Sequence, residues 1–260
     1  MSAYLDGPGP IALAHRGGGL EVPENSRAAV EHTVSLGLGY LETDVHATSD
    51  GVVVLSHDPT VDRVTDGTGA VREMTWDRLS RLRDRSGERL LRLDELLADF
   101  PGLRVNIDAK DDAVVEPLAE TVRRTAAWDR VCLASFSDAR LARLRAALGP
   151  RVATSLGRRD IVRLAAASRL PGPAQRRALR GLPGPADGAV CTQVPVSHRG
   201  VPVVTPRFVG AAHRHGLAVH VWTIDEPAQM HALLDLGVDG LVSDRPRVLR
   251  DVLTARGPWH

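Results

Sequence analysis

Glu42 and Asp44 stand two residues apart near the end of the apolar run Tyr40–Val45, and Asp108 directly follows a second such run, Leu103–Ile107. Residues two apart on a strand share one face, so Glu42 and Asp44 point to the same side of a sheet. If the second strand extends beyond Ile107, Asp108 and Lys110 form a like pair. Three carboxylates turned toward one space repel each other unless a cation lies among them. An all-oxygen donor set suits a hard divalent ion, Mg²⁺ or Ca²⁺, with water completing its shell. Zinc would call for closely spaced His or Cys, and none are so arranged. His15 and His57, each near the end of an apolar run, supply imidazoles that can take or give a proton near neutral pH. Lys110 is the only lysine among 33 basic residues. Where arginine fills every other basic position, a lone lysine marks a place that needs a compact, rotatable ammonium rather than a planar fork.

Each of these residues also has a purely structural reading. A Glu-x-Asp pair is commonly a solvated strand edge, and His15 beside Arg16 reads equally as a satisfied core histidine with a salt-bridging arginine. Asn25, just before an apolar-periodic helix, is read as a turn or cap residue. Asp58, in Ser56-His57-Asp58-Pro59, is read as starting a turn. Trp222 could be core packing. The weight lies in where these residues fall: at the ends of successive predicted strands.

Those strands are Ile11–Ala14, Tyr40–Val45, Leu103–Ile107, Val131–Ala134, Val152–Thr154, Gly188–Cys191, Ala218–Val221 and Gly240–Val242. Amphipathic segments alternate with them: Ser26–Leu36, Asp112–Ala126, Asp138–Leu148, Arg158–Ser168, Pro206–His215, Glu226–Leu236 and Pro246–Leu253, with Leu93–Asp99 in the long connection after the second strand. Alternation of this kind predicts a parallel sheet with crossover helices. About eight units in about 250 residues match an α/β (β/α)₈ TIM barrel, whose strand C-termini converge on one face. The rival is an open doubly wound sheet, but no Gly-x-Gly-x-x-Gly follows an early strand to support a dinucleotide site. A short insertion follows the second strand, from about Pro59 to Arg92, with a short extra strand at Val52–Leu55 before it and a helix at Trp76–Leu82 within it. Residues 170–187, rich in Pro and Gly, are read as a surface excursion, either a lid or a passive loop.

The chain of 260 residues and net charge +1 fits one domain spanning residues 1–260, with no field that would predict nucleic acid as a partner. No stretch approaches the roughly 18 apolar residues of a membrane span. The first ten residues lack the basic and apolar regions of a secretory signal, which points to a cytoplasmic protein. Cys132 and Cys191, in strand-like contexts, are expected to be core thiols.

Taken in order, His15-Arg16-Gly17, Pro23-Glu24-Asn25-Ser26, Glu42-Thr43-Asp44, His57-Asp58, Asn106-Ile107-Asp108-Ala109-Lys110, Val221-Trp222-Thr223 and the closing run Gly237–Pro246 strongly resemble the glycerophosphodiester phosphodiesterase family. The resemblance covers nearly the whole chain. It implies a TIM barrel that uses one divalent cation, Mg²⁺ or Ca²⁺, to hydrolyse a small-molecule glycerophosphodiester to glycerol 3-phosphate and an alcohol. It assigns His15 and His57 as the acid/base pair, Glu42 and Asp44 as metal ligands, and Arg16 and Lys110 as phosphate-binding residues. Trp222 is expected to pack against the carbons of the substrate. Many members carry a Glu-x-Lys motif where Asp108-Ala109-Lys110 stands, so Asp108 is implied as the third metal ligand, one carbon shorter. In that family the glycerol 2-hydroxyl can be the nucleophile, giving a cyclic phosphate that water opens. Two rivals follow. One is a sphingomyelinase D-like or lysophospholipase D-like lyase, with the same histidines and carboxylates. The other is a silent barrel that binds phosphate esters without turning them over.

Overall fold

In the computed structural model, which describes residues 2–260, the apolar run Ile11–His15 forms β1. The Ser26 hydroxyl then accepts the Ala29 N–H at 3.1 Å and starts α1 (Arg27–Ser35). Such a cap stabilises a helix by about 1 kcal/mol. β2 (Tyr40–Ala47) is buried along its whole length and pairs antiparallel at its far end with β3 (Val53–Leu55). After α2 (Trp76–Leu79) and α3 (Leu93–Asp99) come β4 (Arg104–Ala109), α4 (Val115–Arg124), β5 (Val131–Ala134), α5 (Asp138–Leu148), β6 (Ala153–Ser155), α6 (Arg158–Ala167) and α7 (Gly172–Ala178). Then follow β7 (Ala189–Pro195), a hairpin of β8 (Ser197–His198) and β9 (Val201–Pro202), α8 (Pro206–Arg214), β10 (Ala218–Trp222), α9 (Pro227–Asp235), β11 (Gly240–Ser243) and α10 (Pro246–Arg256).

Eight parallel strands run in the order β1-β11-β10-β7-β6-β5-β4-β2, and β1 pairs with β2 to close the ring. This is a (β/α)₈ TIM barrel with β3 added after β2. The closing register sets Leu13 beside Tyr40 and His15 beside Glu42. Because the ring closes, the open-sheet rival is excluded. Ile11, Leu13, Tyr40, Cys132, Ala153, Cys191 and Val242 form one buried cluster, and Tyr4 joins it beside the first residue of β2. The Tyr4 and Tyr40 rings meet edge to face at 5.3 Å, and Tyr40 donates its hydroxyl proton to the Tyr4 carbonyl at 2.6 Å. Cys132 and Cys191 are buried free thiols whose sulfurs lie 3.8 Å apart, in keeping with their core reading. Outside the ring, helices present one apolar stripe. In α4 it is Val115, Leu118, Ala119 and Val122, spaced as one face of a 3.6-residue period requires.

Several boundaries differ from the sequence expectation. β4 runs on through Asp108 to Ala109, because it pairs residue by residue with β2 as far as Val45↔Ala109. α4 starts at Val115, three residues late, since Asp111 accepts the Val114 N–H at 3.0 Å and makes a turn of the intended first turn. The helix expected over Trp76–Leu82 is a single turn ending at Leu79. The insertion after β2 carries its own small core of Val54, Val61, Val71, Met74, Leu79 and Leu90. Residues 170–187 form the expected surface excursion and carry α7. They connect α6 to β7, contribute no wall to the cavity at the strand C-termini, and bury Gln175, Leu179 and Leu182 against the barrel's flank. The β8–β9 hairpin was not anticipated; Arg199 and Gly200, both at positive φ, make its turn. No helix among the described residues is long and apolar enough to cross a membrane.

Candidate active site

Parallel pairing brings the chemistry to one end of the ring. β1 sets His15 beside Glu42, and β2 sets Asp44 beside Asp108 on β4. The strand ends surround a cavity of about 190 Å³. All eight residues singled out from sequence line it: His15, Arg16, Glu42, Asp44, His57, Asp108, Lys110 and Trp222. They come from five places in the chain, and only the closed sheet unites them.

The carboxylates are buried and share cations unequally. Lys110 Nζ lies 2.7 Å from Asp44 Oδ1 and 2.8 Å from Asp108 Oδ2. Burial depresses the ammonium's basicity, but these two charges outweigh it and its pKa is raised. For Asp44, burial is likewise overcome by Lys110 and Arg16, so its pKa is lowered. Glu42 has no lysine or arginine side chain paired to it among the described residues, and accepts only the Arg16 backbone N–H at 3.2 Å. Its burial and the neighbouring Asp44 charge push its pKa up to about 7. Asp108 Oδ1 is buried with no hydrogen-bond partner among the described residues. Among the described residues, no three His, Cys, Asp or Glu side chains are gathered closely enough to enclose one ion as they stand.

Each imidazole has its Nδ1 on a carboxylate. His15 Nδ1 lies 2.7 Å from Asp244 Oδ1, and its Nε2 faces Glu42 at 3.8 Å. Burial lowers the basicity of His15, but the bond to Asp244 and the Glu42 charge outweigh it, leaving the pKa raised. His57 Nδ1 lies 2.7 Å from Asp58 Oδ1. Asp58 in turn accepts from Arg63 Nε at 2.6 Å, and that bond first of all holds its pKa down at about 2. The other end of the Arg63 guanidinium forks onto Glu24, with both contacts at 2.8 Å, and Glu24 also accepts from Arg16 at 3.1 Å. A chain of charge-assisted bonds thus joins the insertion to the loop after β1. Arg16 itself sits at φ 53°, and its Nε approaches Asp44 Oδ2 at 3.1 Å without the alignment of a hydrogen bond.

Several functional neighbours escaped the sequence reading. Asn25 is not the cap of α1, which Ser26 provides. It is buried at φ 53°, donates to Asp44 at 3.2 Å and accepts from Thr43 at 2.7 Å. Its turn reading holds for the backbone alone. Asp58 also does more than start a turn, through its bond to His57. Asp244 follows β11 directly, so a search of every strand end for carboxylates would have found it. Its loop is pinned by Asp225, which accepts both the Ser243 hydroxyl and the Asp244 N–H at 2.8 Å. Arg63, Phe136, Arg158 and Gln193 carried no local signal. Trp222 takes an intermediate position, with its ring edge to face with Phe136 at 5.9 Å.

A sequence profile of the glycerophosphoryl diester phosphodiesterase family matches residues 15–248. The chain is 40% identical over 258 residues to a Mycobacterium tuberculosis protein named probable glycerophosphodiester phosphodiesterase 2, covering 98% of this chain and 95% of that one. It is 29% identical over 262 residues to a glycerophosphodiester phosphodiesterase of Caldanaerobacter subterraneus subsp. tengcongensis, covering 95% and 99%. The crystal structure of a glycerophosphodiester phosphodiesterase from Agrobacterium tumefaciens superposes with a TM-score of 0.74 at 25% identity, covering 93% of this chain and 99% of that one. From the profile, the full-length identity and the shared barrel alike, the chain belongs to the glycerophosphodiester phosphodiesterase family and is a phosphodiester hydrolase.

Proposed function

We propose that the enzyme hydrolyses a glycerophosphodiester to glycerol 3-phosphate and an alcohol, with His15 and His57 moving the protons. The observation that carries this reading is that both imidazoles reach one cavity and each has a carboxylate on Nδ1, Asp244 and Asp58 respectively, at 2.7 Å. A carboxylate there accepts the Nδ1 proton and leaves Nε2 as the nitrogen that exchanges one with substrate. One histidine takes the proton of the attacking oxygen while the other protonates the leaving oxygen. A phosphodiester resists attack because its oxygens are negative. Arg16 Nε, close to Asp44 but unaligned with it, and the Lys110 ammonium bring positive charge to that place.

By donor chemistry, Glu42, Asp44 and Asp108 are the residues that would hold a divalent cation, Mg²⁺ or Ca²⁺, drawing together around it from their present spacing. They offer only hard oxygen donors, Asp108 Oδ1 is buried and has no hydrogen-bond partner among the described residues, and Glu42 is buried beside the Asp44 charge. When bound, such an ion would supply Lewis-acid neutralisation of a phosphoryl oxygen. The chain's own groups do the rest: Asn25 and Lys110 orient Asp44, and Asp244 orients His15.

The test is turnover of a panel of glycerophosphodiesters, with product analysis, before and after chelation and re-addition of Mg²⁺, Ca²⁺ or Mn²⁺. Release of glycerol 3-phosphate that stops on chelation and returns with one of these ions is expected. Full turnover in excess chelator rejects the cation, and no turnover of any diester rejects the activity.

A further inference from the structure

The cavity wall divides by chemistry. The ends of β1, β2 and β4 and the segment after β3 supply the histidines, the carboxylates, Arg16 and Lys110. The opposite arc, from the ends of β5, β6 and β10 and the first turn of α6, is built of Phe136, Leu156, Ile161 and Trp222 with one charge, Arg158. Phe136 is 60% exposed although it stands edge to face with Trp222 at 5.9 Å, so this arc forms the mouth.

The cations on the two sides are in different states. Arg16 and Lys110 are paired to Glu24, Asp44 and Asp108. Arg158 is exposed and makes no ion pair among the described residues, its backbone held by a bond from its N–H to the Phe136 carbonyl at 3.3 Å. The acid on the adjoining turn, Asp138, has its oxygens on the N–H groups of Arg159 and Asp160 at 2.9 and 3.1 Å. An aromatic pair alone would seat a quaternary ammonium. A free guanidinium beside the pair opposes that and favours an anion, which it can grip with two parallel bonds. The part of a diester that varies in size must also lie where the cavity is open, and that is the mouth.

We propose that the arc of Phe136, Trp222 and Arg158 is the seat of the alcohol, and that it takes an alcohol carrying its own anionic group in preference to a quaternary ammonium. The carbons lie against the two rings while the anion meets Arg158. This rests on the diesterase reading above and narrows it to a substrate class.

Three diesters separate charge from shape: glycerophosphoinositol 4-phosphate (anionic alcohol), glycerophosphoinositol (neutral, same ring) and glycerophosphocholine (cationic). Steady-state kinetics at low and at physiological salt are compared for the wild type, Arg158→Gln and Arg158→Glu, with circular dichroism as the check on folding. The wild type is expected to favour the anionic over the neutral diester by about tenfold in kcat/KM, carried by KM and shrinking with salt, since a rim charge is screened. Arg158→Gln should level the pair, and Arg158→Glu should put the choline diester first. A wild-type preference for the choline diester, or a ranking unchanged in Arg158→Glu, overturns the inference. If no diester is turned over, the diesterase reading fails on its own. The same three compounds are then titrated calorimetrically, where weaker binding of the anionic one in Arg158→Glu supports the seat and equal binding in both proteins overturns it.

Discussion

Lys110 Nζ stands between Asp44 and Asp108, 2.7 and 2.8 Å from their nearest oxygens. A guanidinium is planar, wider and committed to a fork, so it cannot occupy the same point without displacing one carboxylate. Misplacing a group by about 1 Å at a reacting centre costs on the order of 10²-fold in rate. Lys110→Arg is therefore expected to lose about 10²-fold in kcat while unfolding at an unchanged temperature. Near-wild-type turnover would show the lone lysine to be replaceable by any cation. The histidines give a second expectation. Replacing His15 or His57 with alanine should each lower kcat by roughly 10²–10⁴-fold, the scale of general acid–base groups. Single-turnover kinetics would check it, and normal turnover in either variant would return that residue to a structural role.

The element that decides how His57 is held is the insertion after β2. Besides bonds from its backbone to β2, it is tied to the loop after β1 by Arg63, about half exposed, bound to Asp58 on one edge and to Glu24 on the other. Exposed pairs of this kind contribute about 1 kcal/mol or less to stability. Their geometric effect is larger, because Asp58 orients His57 and Glu24 bonds Arg16. Arg63→Met should lower kcat about tenfold with little change in thermal stability, measured on the same preparation. A large loss of stability at unchanged kcat would make the clamp purely structural. The clamp also sets an acid limit. Asp58 titrates at about 2 in the fold against an ordinary 3.8, and Arg63 and Arg16 likewise overcome burial to lower Glu24. A depressed carboxylate contributes stability above its unfolded pKa and loses it as pH falls through the folded value. Wild type should therefore lose this contribution between about pH 4 and 2, and Arg63→Met should show a weaker dependence in an acid titration of the melting temperature.

At the scale of the molecule, the two ends of the barrel have different work. The strand C-termini hold charge in a cavity, while the N-terminal end is stopped by Tyr4 against Tyr40. Tyr40 also accepts from Arg104 at 2.8 Å, and its hydroxyl, buried, is pushed up to about 12. Tyr4→Ala removes a fully buried ring, which in comparable cores costs about 3–5 kcal/mol. Its melting temperature should fall steeply while KM of the folded fraction stays within about twofold. A changed KM at intact stability would mean that the plug reaches the site.

Much of this architecture was legible in the sequence. Strand period, helix period and their alternation are local properties, so the barrel, the insertion and the ends of its strands could be read from runs such as Ile11–Ala14 and Tyr40–Val45. The eight chemical residues could be read for a related reason: side-chain alternation and strand-end placement follow from chain order once the barrel is assumed. Boundaries such as the extension of β4 to Ala109 were decided by pairing with β2, which no local signal carries. The same holds for Asn25, whose turn was legible while its bond to Asp44 was not, and for Asp244, which meets His15 across 229 positions of sequence. Arg63 and Arg158 look alike in a chain full of arginines. Only the closed ring brings one between two acids and leaves the other at the mouth with no ion pair among the described residues, because ion pairing depends on distance in space and not on spacing along the chain.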